Sequence, residues 1–144
     1  MDVSVDVRVA SNDDLHLLSE RLKTNIPNPE EGQVLVAVVG GQPVGTVTVS
    51  WAAADEPEVR ELFPGVPIMY RLRVDEPYRN VGIGTRLIRM AEHLLRQHGH
   101  KQVLIGADQD NVLARKLYLS LGYRAELTDL DGDNGLYDIL VADI

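Results

Sequence analysis

The chain has 144 residues, 44% of them hydrophobic, no cysteine, and a net charge of −8 from 14 basic and 22 acidic side chains. That length suits a single domain over residues 1–144 burying about two thirds of its unfolded surface, and the composition excludes a disordered or fibrous chain. Lack of cysteine excludes disulfides, thiolate metal sites and a cysteine nucleophile, and lack of Lys/Arg clusters argues against a nucleic-acid partner.

No apolar run reaches the ~18 residues needed to span a bilayer, and Met1-Asp2-Val3-Ser4-Val5-Asp6 lacks the basic and apolar parts of a signal peptide. A cytoplasmic protein with no membrane partner is expected. The acidity accommodates a cationic substrate and equally serves solubility.

Val3, Val5, Val7 and Val9 alternate with polar residues, the period of a half-buried strand. Ser11-Asn12-Asp13-Asp14 then offers N-cap groups to a helix that places Leu15, Leu18 and Leu22 on one face and runs to about Lys23. Thr24 to Gly32 reads as a loop, whose Asn25, Glu30 and Glu31 fit solvated turns as well as substrate contacts. Gln33 to Val39 and Pro43 to Ala53 are β-branched runs turning at Gly40-Gly41, a hairpin. Asp55 to Pro67 carries Pro57, Pro64 and Pro67 and reads as the longest loop, the kind of segment that often binds ligands. Trp51, Glu56, Glu58, Glu61 and Phe63 are candidate substrate contacts on that ground; a loop with no specific role fits equally.

Met69 to Val74 reads as a strand, and Gly82 opens a helix with Leu87, Ile88, Ala91, Leu94 and Leu95 on one face, ending near Gly99. The first N–H groups of a helix have no partner within it, and the helix dipole adds roughly half a positive charge there. The turn from Arg79 to Thr85 therefore suits a phosphate, and Gly82 and Gly84 let a bulky anion approach the main chain. No histidine pair has metal-ligand spacing, since His93 stands five positions from His98. Gln102 to Ala107 is a short strand. Asp110-Asn111 caps a helix that turns Ala114, Leu117 and Leu121 inward and ends at Gly122. Tyr123 to Leu127 and Leu136 to Val141 are the last strands, joined by Asp131-Gly132-Asp133-Asn134-Gly135.

Two familiar phosphate loops do not fit: the Gly-Lys-Ser/Thr ending is absent, and Leu87 stands where the dinucleotide fingerprint needs a third glycine. Arg79-Asn80-Val81-Gly82-Ile83-Gly84 instead resembles the Gln/Arg-x-x-Gly-x-Gly/Ala signature of the GNAT superfamily of N-acetyltransferases. Asn111-Val112-Leu113-Ala114-Arg115-Lys116-Leu117-Tyr118-Leu119-Ser120-Leu121-Gly122-Tyr123 is similar to a second element of that family, Asn-x-x-Ala-x-x-x-Tyr-x-x-x-Gly-Phe/Tyr. It begins 27 residues after Gly84, with a helix and a strand between.

The resemblance implies an α/β (α+β) fold. Its mixed, mostly antiparallel sheet has six to seven strands flanked by helices, and the fourth strand, about Pro67 to Val74, splays from the fifth, Gln102 to Ala107. It implies acetyl-CoA as co-substrate in that opening: the main chain of Leu72, Arg73 and Val74 lies along the pantetheine like an added strand. The amides of Arg79, Asn80, Val81, Gly82, Ile83, Gly84 and Thr85 take the pyrophosphate, and Asn111 with its helix flanks the pantetheine and nucleotide. An N–H near Leu72 is implied as the donor to the oxyanion.

Tyr118 falls where the family places a general acid beside the thioester sulfur, a role that an ordinary phenol with pKa near 10 suits. Ile68 and Gly106 stand where members often carry a base glutamate, which leaves Glu61, Tyr70 or a water chain for that role. Asn80 replaces a frequent glycine but tolerates positive φ, and Val81 replaces a frequent basic residue.

The implied activity is direct transfer of acetyl, without a metal, to the primary amine of a small molecule such as a metabolite or antibiotic, bound among Trp51, Glu61 and Tyr70. Acetylation of a protein N-terminus or lysine is the alternative. A catalytically idle acyl-CoA-binding or sensing module is the reading of another class. The family commonly dimerises through its late strands, so a homodimer is compatible with the resemblance.

Overall fold

Strands buried at consecutive positions must be covered on both faces, and the hairpin strands are of that kind. A computed structural model describes residues 4–52, 54, 56–132 and 135–144. In it β1 (Val5–Val9) and α1 (Asn12–Leu22) precede the hairpin of β2 (Gly32–Val39) and β3 (Gln42–Ser50). β2 sends Val34, Val36 and Val38 to one face against Leu15 and Leu18 of α1, while Leu35 and Ala37 join the main core on the other. Ser11 and Asp14 close a capping box at the start of α1, each side chain bonded to the other's amide.

The expected long loop contains a short helix, α2 (Pro57–Leu62), with proline at its start and only Val59 buried. β4 (Ile68–Val74), a single 3-10 turn over Glu76–Tyr78, α3 (Ile83–Gln97), β5 (Gln102–Asp108) and α4 (Val112–Ser120) follow, then β6 (Arg124–Gly132) and β7 (Gly135–Asp143). The last two strands run further than the sequence pattern suggests and pair out to Gly132 and Gly135. The strand ends expected at Val3 and Ala53, the loop start at Asp55, and the turn residues Asp133 and Asn134 lie outside the described residues.

The seven strands form one sheet in the order β1-β2-β3-β4-β5-β7-β6, antiparallel throughout except for the parallel pair β4–β5. This is the mixed sheet flanked by helices that the resemblance implies. α3 and α4 cover one face, where Ile83, Leu87, Ile88, Ala91, Leu95 and Tyr118 pack on Val47, Val49, Met69, Ile105 and Leu140. α1 and α2 cover the other, α2 placing Val59 against Leu104, Ile139 and Val141. Among the described residues no helix is long and apolar enough to cross a membrane.

Two irregularities in β4 open the sheet. On its β3 side, Thr46 pairs with Arg73 and Thr48 with Tyr70, so Arg71 and Leu72 together oppose Val47, a bulge with Arg71 at φ +54°. On its β5 side, pairing is limited to Ile68 with Leu104 and Met69 with Ile105, and the two strands separate beyond that point.

Candidate functional site

Two cavities meet where β4 leaves β5. The larger, about 640 Å³, lies on the α1/α2 face over the opening, floored by Ile68, Tyr70, Gly106 and Asp108 and walled by Thr24, Asn25, Ile26, Glu56, Val59 and Tyr137. The smaller, about 390 Å³, runs from Leu72, Arg73 and Val74 to the turn Arg79–Asn80 and the first turn of α3. Leu72, Arg73, Asn111 and Ala114 line both.

The smaller cavity is built from backbone. Gly82, at φ +87°, precedes α3 as its N-cap with no side-chain cap, and no acidic side chain stands in the first turn. The first helical bond runs from Arg86 N to Gly82 O at 3.1 Å, so the amides of Ile83, Gly84 and Thr85 precede the helical ladder. A Cβ on Gly82 would meet nothing within 4 Å, which leaves its main chain open to an anion. Gly84 has a further reason to be glycine, because its Cβ would stand 3.2 Å from Leu117 Cδ2 and so push α3 from α4.

Asn80 holds φ +64°, the conformation its side chain tolerates. Arg79 turns back instead of outward: its Nε donates to Val74 O at 2.9 Å, fastening the turn to the end of β4. Asp75 caps the 3-10 turn by accepting from Glu76 N at 3.1 Å and pairs with Arg21 at 3.0 Å, tying α1 to the same turn.

Of the residues assigned to the cofactor from the sequence, Leu72, Arg73, Val74, Arg79, Asn80, Gly82, Ile83, Gly84, Thr85 and Asn111 all line the smaller cavity. Val81 is not among the lining residues and is 64% exposed, and Tyr118 lines the larger cavity. The wedge between β4 and β5, the uncapped amides and the open Gly82 fit an extended ligand that ends in a phosphate. Tyr78, Leu113 and Leu117 add apolar walls that the sequence did not assign to the cofactor.

Tyr118 is 5% exposed and packs in the core on the α3/α4 face, its ring 6.5 Å from that of Tyr123. It also borders the larger cavity, beside the β4–β5 opening. Burial pushes its phenol up to about 12, a shift that Arg73 opposes and Asp108 reinforces. Asn111 caps α4 by accepting from Ala114 N at 3.2 Å, and its own N–H donates to Asp108 O at 3.1 Å. The turn from β5 into α4 thus carries Asp108, Asn111 and Tyr118 to one junction.

The acceptor-side expectations divide. Tyr70 lines the larger cavity, its ring under the Arg71 guanidinium at 5.4 Å. Trp51 does not: one residue past Ser50, the strand alternation turns it to the α3 face, where it stacks on His98 with ring centroids 5.4 Å apart. Glu61 also lies off the cavity, exposed on α2, because the helix spends its one inward position on Val59. Among the described residues, Glu56 and Asp108 are the carboxylate residues of the lining instead. At Gly106 an added Cβ would find nothing within 4 Å, so the glycine leaves the cavity floor open.

Residues 8–123 match the model of the acetyltransferase (GNAT) family. A curated relative, mycothiol acetyltransferase of Corynebacterium glutamicum (strain R), is 30% identical over 73 residues, 51% of this chain and 23% of that protein, so the match spans under a quarter of the relative's length. The aminoglycoside acetyltransferase AAC(6')-Ib, solved with coenzyme A and kanamycin, superposes with a TM-score of 0.75 at 19% identity, over 97% of this chain and 95% of its own. The PaiA N-acetyltransferase of Thermoplasma acidophilum, in complex with coenzyme A, gives 0.74 at 17% identity over 98% and 99%. Naa50 of Arabidopsis thaliana, bound to the bisubstrate analogue CoA-Ac-MVNAL, gives 0.71 at 16% over 99% and 100%. The family match spans both motifs and the strands that part between them: the chain belongs to the GNAT family of acetyltransferases.

Proposed function

We propose that the protein transfers an acetyl group from acetyl-CoA directly to the primary amine of a small molecule. The observation that carries this reading is the meeting of two cavities at the β4–β5 opening, one lined by uncapped amides and the other bordered by Tyr118 and two carboxylates. Acetyl-CoA brings the activated thioester. In this reading the main chain of Leu72, Arg73 and Val74 aligns the pantetheine, and the amides from Arg79 to Thr85 hold the pyrophosphate.

The amine nitrogen forms a bond to the thioester carbonyl carbon, the carbon–sulfur bond breaks, and the sulfur takes the proton of the Tyr118 hydroxyl. The amine loses a proton in turn, to Asp108 or Glu56 directly or through water, in place of the exposed Glu61. Asp108 is favoured because it lines the cavity at the turn into α4, where its carbonyl accepts from the amide of Asn111, which lines both cavities. A volume near 640 Å³ bounded by the loop after α1, by α2 and by the last strands suits a metabolite-sized amine, inside the range of about 300–1,000 Å³ common for small-molecule pockets. Tyr70 and Tyr137 supply the walls around it.

The test is thiol release from acetyl-CoA across amines, amino sugars and short peptides. Turnover with small amines and none with peptides is expected. Preferential turnover of peptides would move the assignment to protein N-termini, and coenzyme A binding without turnover of any acceptor would overturn the enzymatic reading in favour of a sensor.

A further inference from the structure

Asp138 lies on β7, outside both cavities, and is 3% exposed. A buried carboxylate is costly unless it is fully hydrogen-bonded, and this one is. Gln109 Nε2 donates to Oδ1 at 2.8 Å, the Asp129 amide donates to the same oxygen at 3.0 Å, and the Arg115 guanidinium pairs with Oδ2. Gln109 also reaches Asp129 Oδ1 at 2.7 Å, and Asp129 stands at φ +58° in a bulge of β6 that turns its amide to Asp138.

The partners come from two places that matter to the site. Gln109 belongs to the turn between β5 and α4, flanked by Asp108 of the larger cavity and, two residues on, Asn111 of both. Arg115 belongs to α4, three residues before Tyr118, close to one turn of helix. α4 itself is short, with only Tyr118 buried and Val112, Leu113 and Leu119 exposed, so its own packing fixes its rotation weakly. One buried carboxylate therefore holds both the entry and the body of the element that carries Asn111 and Tyr118.

We propose that Asp138 is a positioning residue for acetyl transfer: through Gln109 and Arg115 it sets the seat and rotation of α4, and thereby the placement of Asn111 and Tyr118 at the junction of the two cavities. This rests on the junction being the seat of the thioester, as set out above.

The test compares Asp138→Asn, Arg115→Met and their double variant with Asp14→Asn, which breaks a capping box at the start of α1, outside both cavities. Two quantities are read: coenzyme A affinity by calorimetry, and amide hydrogen exchange of residues 112–120 relative to α3. The two junction variants are expected to weaken coenzyme A at least about tenfold and to speed exchange in α4 selectively, the double variant no further, and Arg115→Lys to recover part of the affinity. Asp14→Asn is expected to lower the thermal midpoint while leaving both readouts unchanged. If Asp138→Asn fails to fold, Gln109→Ala, which spares the ion pair, is expected to weaken coenzyme A about threefold. Junction variants that lower the midpoint but leave affinity and α4 exchange at the level of Asp14→Asn, or whose losses simply add, would overturn the proposal. Neither readout uses an acceptor, so a wrong acceptor class leaves the test intact; if the unaltered protein fails to bind coenzyme A, the proposed function falls and the exchange data alone decide the role of Asp138.

Discussion

The Tyr123 hydroxyl donates a hydrogen bond to Glu92 Oε2 at 2.7 Å, and the other oxygen of Glu92 accepts from Arg89 at 2.7 Å. Tyr123 closes the second motif, so the last residue of that motif anchors the end of α4 to the buried flank of α3. Burial, and then the Glu92 carboxylate, push its phenol well above the ordinary range, so it serves as a donor at every physiological pH. Tyr123→Phe leaves a buried carboxylate oxygen without its donor. A loss of about 2 kcal/mol is expected, read as a fall of roughly 4–8 °C in the thermal midpoint.

Tyr118→Phe removes the proposed proton donor and little else, since the hydroxyl makes no hydrogen bond to a side chain or backbone group among the described residues. Turnover is expected to fall about 100-fold with coenzyme A affinity within about twofold. Unchanged turnover would discard the assignment. The raised pKa carries its own sign: the phenol is neutral below the unfolded value of 10, and stability declines as pH rises from there through about 12. Absorbance titration of the unaltered protein against Tyr118→Phe reads that difference.

Arg71 holds a left-handed backbone that its side chain does not favour. Arg71→Gly is expected to keep the bulge and hold or raise stability, by up to about 1 kcal/mol. Arg71→Val, branched at Cβ, is expected to cost about 1–3 kcal/mol and to weaken coenzyme A, because a strand that sheds the bulge closes on β5. Denaturant melts and calorimetry distinguish the two.

Gly82→Ala places a Cβ at φ +87° in otherwise open space. The conformational cost is about 1–2 kcal/mol, and coenzyme A affinity is expected to fall by more than that cost explains, since the methyl occupies the anion's approach. Gly84→Ala is expected to act chiefly on stability, through the contact with Leu117.

Asp14 predicts acid sensitivity. Burial alone would raise its pKa, but the Ser11 amide and hydroxyl and then Arg8 outweigh it and hold the carboxyl below its ordinary 3.8. A carboxylate lowered in the folded state contributes stability above the unfolded value, and that contribution is lost as pH falls through the folded one. The thermal midpoint of the unaltered protein should therefore drop steeply below about pH 4. Asp14→Asn should start about 1 kcal/mol lower at pH 7 and fall less steeply.

The parts written in periodic apolar residues were legible: the hairpin, α1, α3 and the turn at Gly82, where Asn80 even declares its positive φ. α2 was not, because a six-residue helix with one inward residue, Val59, cannot display a period. Glu56 and Glu61 look alike in the sequence, and only the formed helix leaves Glu56 on the larger cavity and Glu61 exposed away from it. The placement of Trp51 was hidden for another reason: the sequence marks an aromatic at a strand end, but the alternation that turns it to His98 follows from where β3 stops. The bulge at Arg71 left no trace, since an arginine is no signal for a left-handed residue. Asp138 looked like one acid in a late strand, and its importance comes from partners 23 and 29 residues away in the chain.

The two-pair contact between β4 and β5 makes the sheet mechanically unequal. Broad antiparallel ladders hold β1 through β4 together, and others join β5, β7 and β6, so the hydrogen bonding of the sheet divides into two plates that share a short seam, with the α3 core packed across it. A load applied across the strands concentrates at Ile68 and Met69, and unfolding under force should begin by tearing there. A ligand that lays hydrogen-bonding groups along the gaping edge of β4 works as a splice across that seam. Its binding should register as a higher rupture force between the plates.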